Sequence, residues 1–535
     1  MFIKSDAFLK KSKDCLKPYY LALIIGVISL LANSLFLDRT PPVTFDEVGY
    51  ASPAYELLFY GKLATKVFKG FMKLEDYTFW QPPLYFVVLS LVYKFFGFGM
   101  IQTRMVGVFF YAVCVVLIFL ISIQMFRDIK IATLGAILLA LDPIFVQYSR
   151  HGRMDTSSIG LALIAVYLYL LHVIRRQYTE GSVRSMKMLA IAGLCIGLSI
   201  LAHPLGVMTF IGLSVAIYLD YYCVGRRFLN LLSFWLAITI VLSFWFIYIL
   251  HDPSLFIKQF FGHVSQHTNR LGPIQALFAE INDRYIEGYN RHPFVFISAM
   301  IGLYLMIFDQ NRIDRPHKKL FLTLVLVDMV FLAVVVLKVP WFLPYIVPWF
   351  SVAGSFFLVR FWEITKHSRR KTIRALYYSW IFLVGVNLLL AGLPARYAVA
   401  LIQWDGRDVF RFNQEIGKYI PPGNEVLGPY TLWYGLTASG SNLYSLEMYG
   451  NTHLPLQDFD YIILPGPLDH LSSYIYKPLD PELAGFYNDL SRIFKTHLEQ
   501  HCFLLGKVEL PLRPLPGVSI NPYRAIIYKC GETAY

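Results

Sequence analysis

Long apolar runs return eleven times in the first 394 residues, at about 19–37, 105–126, 131–147, 156–174, 188–202, 205–223, 228–250, 294–309, 320–337, 345–361 and 375–393. A bilayer suits such runs, because a helix of about 20 apolar residues satisfies its own backbone across a hydrocarbon layer of roughly 30 Å. Only 16% of the 535 residues are charged and 56% are hydrophobic, whereas about a quarter of a soluble domain is charged. The pattern predicts an α-helical polytopic membrane protein with about eleven transmembrane helices. The first run, YYLALIIGVISLLANSLFL, is longer than a signal-peptide core and lacks a small-residue cleavage site, so it reads as an uncleaved span.

Charge sets the orientation. Basic residues cluster at Arg127/Lys130, Arg175/Arg176/Arg184/Lys187, Arg226/Arg227, Arg312/Arg315/Lys318/Lys319 and Lys366/Arg369/Arg370/Lys371/Arg374, after alternate runs, and again in the N-terminal MFIKSDAFLKKSKDCLK. The positive-inside rule makes this face and the N-terminus cytoplasmic in a multi-pass cell-membrane protein. The net charge of +13 is then a topology and lipid-contact signal. No RNA-binding fingerprint or continuous basic stripe accompanies it, so nucleic acid is not an expected partner. One apolar segment resists the count: 82–99, PPLYFVVLSLVYKFFGFG, is interrupted by Lys94 and two glycines, and as a span it would invert every later loop. It reads as a helix lying in the outer interface.

This topology leaves 38–104, 148–155, a turn near His203, 251–293 and 338–344 on the outer face. Residues 1–394 form the membrane domain. From about 395 to 535 the chain gains spaced Pro and Gly, and NEVLGPY, DYIILPG and RAIIYKC read as strands alternating with helices near 406–419 and 480–499. A small extracytoplasmic α/β domain follows. The six cysteines show no CxxC or metal spacing. Cys502 and Cys530 fall in this outer domain, where a disulfide between them is open.

Ionisable residues gather on the outer face, although each costs roughly 2.5–3.5 kcal/mol at a span centre on insertion scales. TFDEVGY carries Asp46 and Glu47; Gln81 precedes Pro82-Pro83; Arg104 opens the second run; QYSRHGRMD holds Arg150, His151, Arg153 and Asp155; Lys338 precedes VPWFLP. Singly, Asp46 reads as a helix N-cap, and Arg150, Arg153 and Lys338 as snorkelling anchors. Asp458 and Asp460 in DFDYIIL read as a turn into a buried strand rather than a metal site. Together, carboxylates and cations on one face suit an anionic lipid-borne substrate. A sugar joined through phosphate to a polyprenyl chain needs no general acid, since Arg and Lys stabilise the departing phosphate. Its acceptor hydroxyl needs one carboxylate base, and attack opposite the leaving group inverts the anomeric centre. Spacing leaves open which of the two adjacent carboxylates is the base. A transporter or flippase for an anionic lipid is the alternative, but it predicts inverted repeats and midplane charges, and Asp328 is the main charge inside the runs.

FDEVGYASPAYELLFYGK, QPPLYF, IQTRMVGVFFYAV and SRHGRMD, in that order, resemble the N-terminal half of the glycosyltransferase-C superfamily, over about residues 40–210 and more weakly through KVPWFLP. The similarity is to its lipid-phosphate-sugar branch, which includes protein O-mannosyltransferases and aminoarabinose transferases. The resemblance implies two interfacial helices in the first outer loop, and an integral membrane glycosyltransferase using a polyprenyl-phosphate monosaccharide and an acceptor protein, lipid or glycan. It implies Asp46 as catalytic base, Glu47 as its acidic neighbour near the acceptor, Arg104 and Lys338 as donor-phosphate contacts, and Arg153 and Asp155 as an R-x-D signature. The expected site is then Asp46 as base, Glu47, Gln81 and Asp155 as substrate-binding, and Arg104, Arg150, Arg153 and Lys338 on the donor phosphate. Gln81 stands where many relatives carry Lys or His. No oligosaccharyltransferase WWD signature or acidic outer-loop cluster occurs, so no metal or other cofactor is expected.

Overall fold

The computed structural model describes residues 3–176, 183–219, 227–308, 315–452, 454–477, 484–515 and 523–531. Helices α1 (Ile3–Ser34), α2 (Phe45–Tyr60), α3 (Leu84–Phe96), α4 (Met100–Phe126), α5 (Ile129–Leu141), α6 (Pro143–Ser149), α7 (Asp155–Arg176), α8 (Val183–Ala202), α9 (Val207–Tyr218) and α10 (Arg227–Ile249) build the first half. Helices Pro293–Phe308, Arg315–Val334, Val347–His367 and Lys371–Ala391 complete the membrane domain. The eleven apolar runs fall mainly on these helices, with 131–147 divided between α5 and α6, and residues 220–223 of the run at 205–223 lie outside the described residues. Parts of the predicted basic linkers, at 177–182, 220–226 and 309–314, lie outside the described residues.

Among the described residues, five helices are long and apolar enough to cross a bilayer alone: Lys17–Ser34, Met100–Phe126, Asp155–Val173, Phe228–Ile249 and Lys371–Ile402. The pair α5 and α6, bent by 58°, makes a sixth. The bend has a local cause. Asp142 accepts hydrogen bonds from the Ile144 and Phe145 N–H groups, both at 2.9 Å, and Pro143 opens the new helix. The other runs lie on helices that are shorter or carry charge at an end. At 13 residues, α3 is only about 20 Å long, too short for the hydrocarbon layer. With α2 it forms the two helices expected in the first outer loop.

Small residues let the helices approach closely. A Cβ on Gly302 would sit 1.8 Å from the Ala353 carbonyl oxygen, so only glycine fits where helices Pro293–Phe308 and Val347–His367 cross. The main apolar core runs through α4, α5, α7 and helix Val347–His367, with Ile118, Phe119, Leu170 and Phe356 fully or almost fully buried.

The expected domain boundary at 394/395 falls inside helix Leu393–Ile402, which follows Lys371–Ala391 after a single glycine. Beyond it five strands, β1 (Glu425–Gly428), β2 (Asn442–Ser445), β3 (Tyr461–Leu464), β4 (Cys502–Glu509) and β5 (Arg524–Cys530), form one sheet ordered β2-β1-β3-β5-β4. β1 runs parallel to β2 and β3, whereas β5 is antiparallel to β3 and β4. Strands β1, β3 and β5 are the three motifs read from sequence. Helices Val409–Gly417 and Ala484–His501 occupy the two predicted helical stretches. Cys502 and Cys530, opposite each other in register, are disulfide-bonded. Asp460 is a turn residue, its carboxylate accepting from the Glu425 N–H at 2.8 Å. This domain shares a core with the segment between α1 and α4: Val48, Tyr50 and Phe86 pack in one cluster with Phe412, Trp433 and Ile527. Arg39 adds an ion pair to Asp408 at 2.8 Å.

Candidate active site

Thr44 caps α2, its hydroxyl accepting the Glu47 N–H at 3.3 Å, so neither carboxylate of the acidic pair is spent on capping. Successive helical residues point about 100° apart, and this separates the two acids. The Asp46 side chain is 42% exposed and faces a cavity, whereas that of Glu47 is fully buried. Glu47 takes both arms of Arg104, Nε to Oε1 and Nη2 to Oε2, each at 2.8 Å. The Tyr434 hydroxyl reaches across from the C-terminal domain to the same carboxylate, at 3.3 Å.

The cavity has a volume of about 920 Å³. It opens where the C-terminal ends of α8 and α10, the start of α9 and the end of helix Arg315–Val334 meet the adjoining loops, at Ile200, Trp245, Val207 and Phe331. Trp80, Phe260, Val335 and Phe342 give it a largely apolar wall. Asp46, Gln81, Arg153, His203, His263 and His267 form a polar wall, and the C-terminal domain contributes Tyr430, Met448, Asn451, Tyr476 and Lys477.

Three of the eight residues singled out from sequence line this cavity: Asp46, Gln81 and Arg153. Arg153 donates from Nη1 to Asp46 and from Nε to Asp155 at 2.8 Å, so one guanidinium orients both carboxylates. Asp155 itself is completely buried behind Arg153 and holds it in place. Glu47 and Arg104 are likewise withdrawn. Arg104 Nη1 donates to the Leu37 and Pro41 carbonyls, the latter at 2.9 Å, which with Glu47 occupies every guanidinium nitrogen.

Arg150 is also withdrawn. It donates to the carbonyls of Asn33, Leu35 and Thr40, closing the loop after α1, and burial lowers its pKa to about 9. Lys338 donates to the Leu332 and Val336 carbonyls, at 2.9 and 3.0 Å, and lies 3.3 Å from Glu280. Burial pulls its pKa down, with Glu280 opposing. Glu280 also holds Arg284 at 3.2 Å. Of the four cations expected on a donor phosphate, three are therefore committed to carbonyls and buried acids. A cation near a bilayer edge has two uses, and sequence position does not separate them.

Gly152 makes the SRHGRMD loop possible. Its φ is +61°, and a Cβ there would lie 2.8 Å from Thr103 Cγ2 and 3.0 Å from Glu47 Cγ. The Tyr85 hydroxyl donates to its carbonyl at 2.8 Å. The three histidines were missed as site residues by sequence reasoning, although the i, i+4 spacing in GHVSQH marks a shared helix face. Burial lowers the His203 pKa to about 4 and pushes His263 well below the usual histidine range, with His267 and His203 adding to the latter effect.

A family model for dolichyl-phosphate-mannose-protein mannosyltransferases matches residues 80–250, the stretch from Trp80 and Gln81 to the end of α10. The solved structure of ArnT from Cupriavidus metallidurans bound to undecaprenyl phosphate superimposes with a TM-score of 0.58 at 14% identity, covering 97% of this chain and 98% of that one. The chain shares the fold of that enzyme. The oligosaccharyltransferase AglB from the archaeon Archaeoglobus fulgidus, in complex with an inhibitory peptide and a dolichol-phosphate, superimposes at 0.53 with 12% identity, over 96% of this chain and 76% of that one. Among curated protein sequences none matches. At such identities the structures establish the fold alone.

Proposed function

We propose that the protein transfers a monosaccharide from a polyprenyl-phosphate carrier to an acceptor hydroxyl on the outer face of the cell membrane. The observation that carries this reading is the pairing of Asp46 with Arg153 at the edge of a cavity whose remaining wall is mainly apolar. An apolar wall accommodates a lipid chain, and a cavity of this size falls in the range of small-molecule sites. Asp46, held by Arg153, takes the proton from the acceptor hydroxyl. The acceptor oxygen then bonds to the anomeric carbon as the bond from that carbon to the phosphate oxygen breaks on the opposite face. The sugar is transferred with inversion, and the polyprenyl phosphate leaves with the bonding electrons. Protein residues alone suffice for these steps.

The resemblance of both motif order and fold to lipid-phosphate-dependent enzymes supports the donor class. The outer domain places Tyr430, Asn451 and Tyr476 beside Asp46 in the same cavity, which suits an acceptor approaching from outside the membrane. Mass spectrometry of membrane lipids, glycans and proteins from cells with and without the enzyme tests the reading. A monosaccharide lost from one acceptor, with accumulation of its lipid-linked donor, is the expected result. Unchanged glycans together with altered distribution of a lipid between leaflets would favour the transporter instead.

A further inference from the structure

With Arg104, Arg150 and Lys338 committed elsewhere, positive charge in the cavity is scarce. Arg153 is shared between Asp46 and Asp155, and Lys477 stands on the outer-domain side. A phosphate entering here needs further donors, and the cavity offers them on one helical turn. His263 and His267 lie on the short helix Gly262–His267 with ring centroids 4.3 Å apart, and both line the cavity. The His267 Nδ1 is hydrogen-bonded to the His263 carbonyl at 2.9 Å, which places its proton on Nδ1 and leaves Nε2 without a hydrogen-bond partner among the described residues. Gln81 Nε2 lies 2.8 Å from His263 Nε2, and the buried Gln81 Oε1 has no partner among the described residues. Rotation of this amide by half a turn would present Oε1 to a protonated His263 as acceptor.

We propose that His263 and His267, supported by Gln81, hold the phosphate of the lipid-linked donor, so that donor binding takes up protons. This inference rests on the donor class proposed above and deepens it. A phosphate favours the imidazolium form of both rings, and the charge that develops as the sugar leaves strengthens the interaction. Other charged and titratable groups face these rings from every neighbouring element. His203 flanks them from the loop before α9, with Asp155, Arg153 and Asp46 beyond it. Phe342 packs on His267, with Arg284, Glu280 and Lys338 behind that ring. Tyr430, Tyr476 and Lys477 lie on the outer-domain wall.

A metal ion is the competing ligand for two histidines at this spacing. Among the described residues, the only group of three metal-ligating side chains within ligand distance is His497, Cys502 and Cys530, two of which are tied up in the disulfide. The histidine pair lacks a third ligand, whereas hydrogen-bond donors suffice for a phosphate.

The test is equilibrium binding of farnesyl phosphate, farnesol and inorganic phosphate to the full-length protein in nanodiscs, at about pH 6 and about pH 8. The expected result for the wild type is at least about tenfold tighter binding of farnesyl phosphate at the lower pH. The ligand's own second proton removes charge on acidification and so opposes this trend. His263→Gln/His267→Gln should abolish the pH ratio with an unchanged thermal midpoint, and His267→Lys should restore tight binding at the higher pH. Preference for farnesyl phosphate over inorganic phosphate assigns the site to the lipid; the reverse assigns it to free phosphate and overturns the proposal. An unchanged pH ratio in the double glutamine variant overturns it too, as does binding that requires added Zn²⁺. In those cases persistent sugar transfer would leave the proposed function standing. A wild type that neither binds farnesyl phosphate nor transfers sugar sinks the proposed function itself.

Discussion

Replacing Glu47 by Gln leaves the Arg104 guanidinium charged and without its counter-ion at a position where both side chains are completely buried. Removing one partner of a buried pair typically costs 3–5 kcal/mol, because the remaining charge keeps its desolvation penalty. Here Arg104 retains the Leu37 and Pro41 carbonyls, so a loss near the lower end, about 3 kcal/mol, is expected. Asp46→Asn removes a carboxylate from a partly exposed pair and should cost no more than about 1 kcal/mol. Thermal unfolding in detergent, followed by dye fluorescence for both variants in parallel, separates them. The Glu47 variant should unfold several degrees earlier and lose transfer only as folded protein is lost. An apolar pair, Glu47→Leu/Arg104→Met, should recover part of the stability but not all, since the two carbonyls are left unpaired at about 1–3 kcal/mol each. A Glu47→Gln protein that melts like the wild type yet no longer transfers sugar would refute the reasoning and put Glu47 in the chemistry.

Three further outcomes follow from the same geometry. Burial raises the Glu447 pKa from 4.5 to about 7. The folded state therefore favours the protonated form, and the stability this provides is complete below about pH 4.5 and lost as the pH rises through 7. Glu447→Gln should flatten thermal stability between about pH 5 and pH 8, and gain up to about 3 kcal/mol at the upper end. Replacing both Cys502 and Cys530 by Ala, which opens a link spanning 28 residues, should cost about 3–4 kcal/mol and show in denaturant titration of the outer domain. Gly152→Ala forces a side chain into a left-handed backbone against Thr103 and Glu47 and should cost about 1–3 kcal/mol, seen as a lower yield of folded protein and an earlier melt.

Most of the scaffold is legible in the sequence because the bilayer imposes a strong, one-dimensional rule. Within the described residues the apolar runs fall mainly on helices, and the linker charges single out 82–99, where α3 lies, as wrongly placed to span. The C-terminal domain is less legible. Strand β2 is four residues long, and β4 exposes Phe503 and Leu504 instead of alternating, so neither carries a period-two signal. At the site, sequence brings Asp46, Gln81 and Arg153 to the right cavity but cannot tell a ligand-facing cation from one holding carbonyls. Arg104, Arg150 and Lys338 all close backbone turns at the ends of helices. His263 and His267 went unremarked because nothing local reveals that their helix folds back against Gln81, 182 residues away along the chain from His263.

The central claim is that Asp46, alone of the acidic pair, takes the acceptor proton. Sugar transfer from a labelled lipid-linked donor by the Asp46→Asn protein, measured beside its affinity for farnesyl phosphate, tests it most directly. Transfer should fall at least about 100-fold, the scale of a lost general base, while the melting midpoint and lipid-phosphate affinity stay close to wild type. Turnover near the wild-type rate would contradict it.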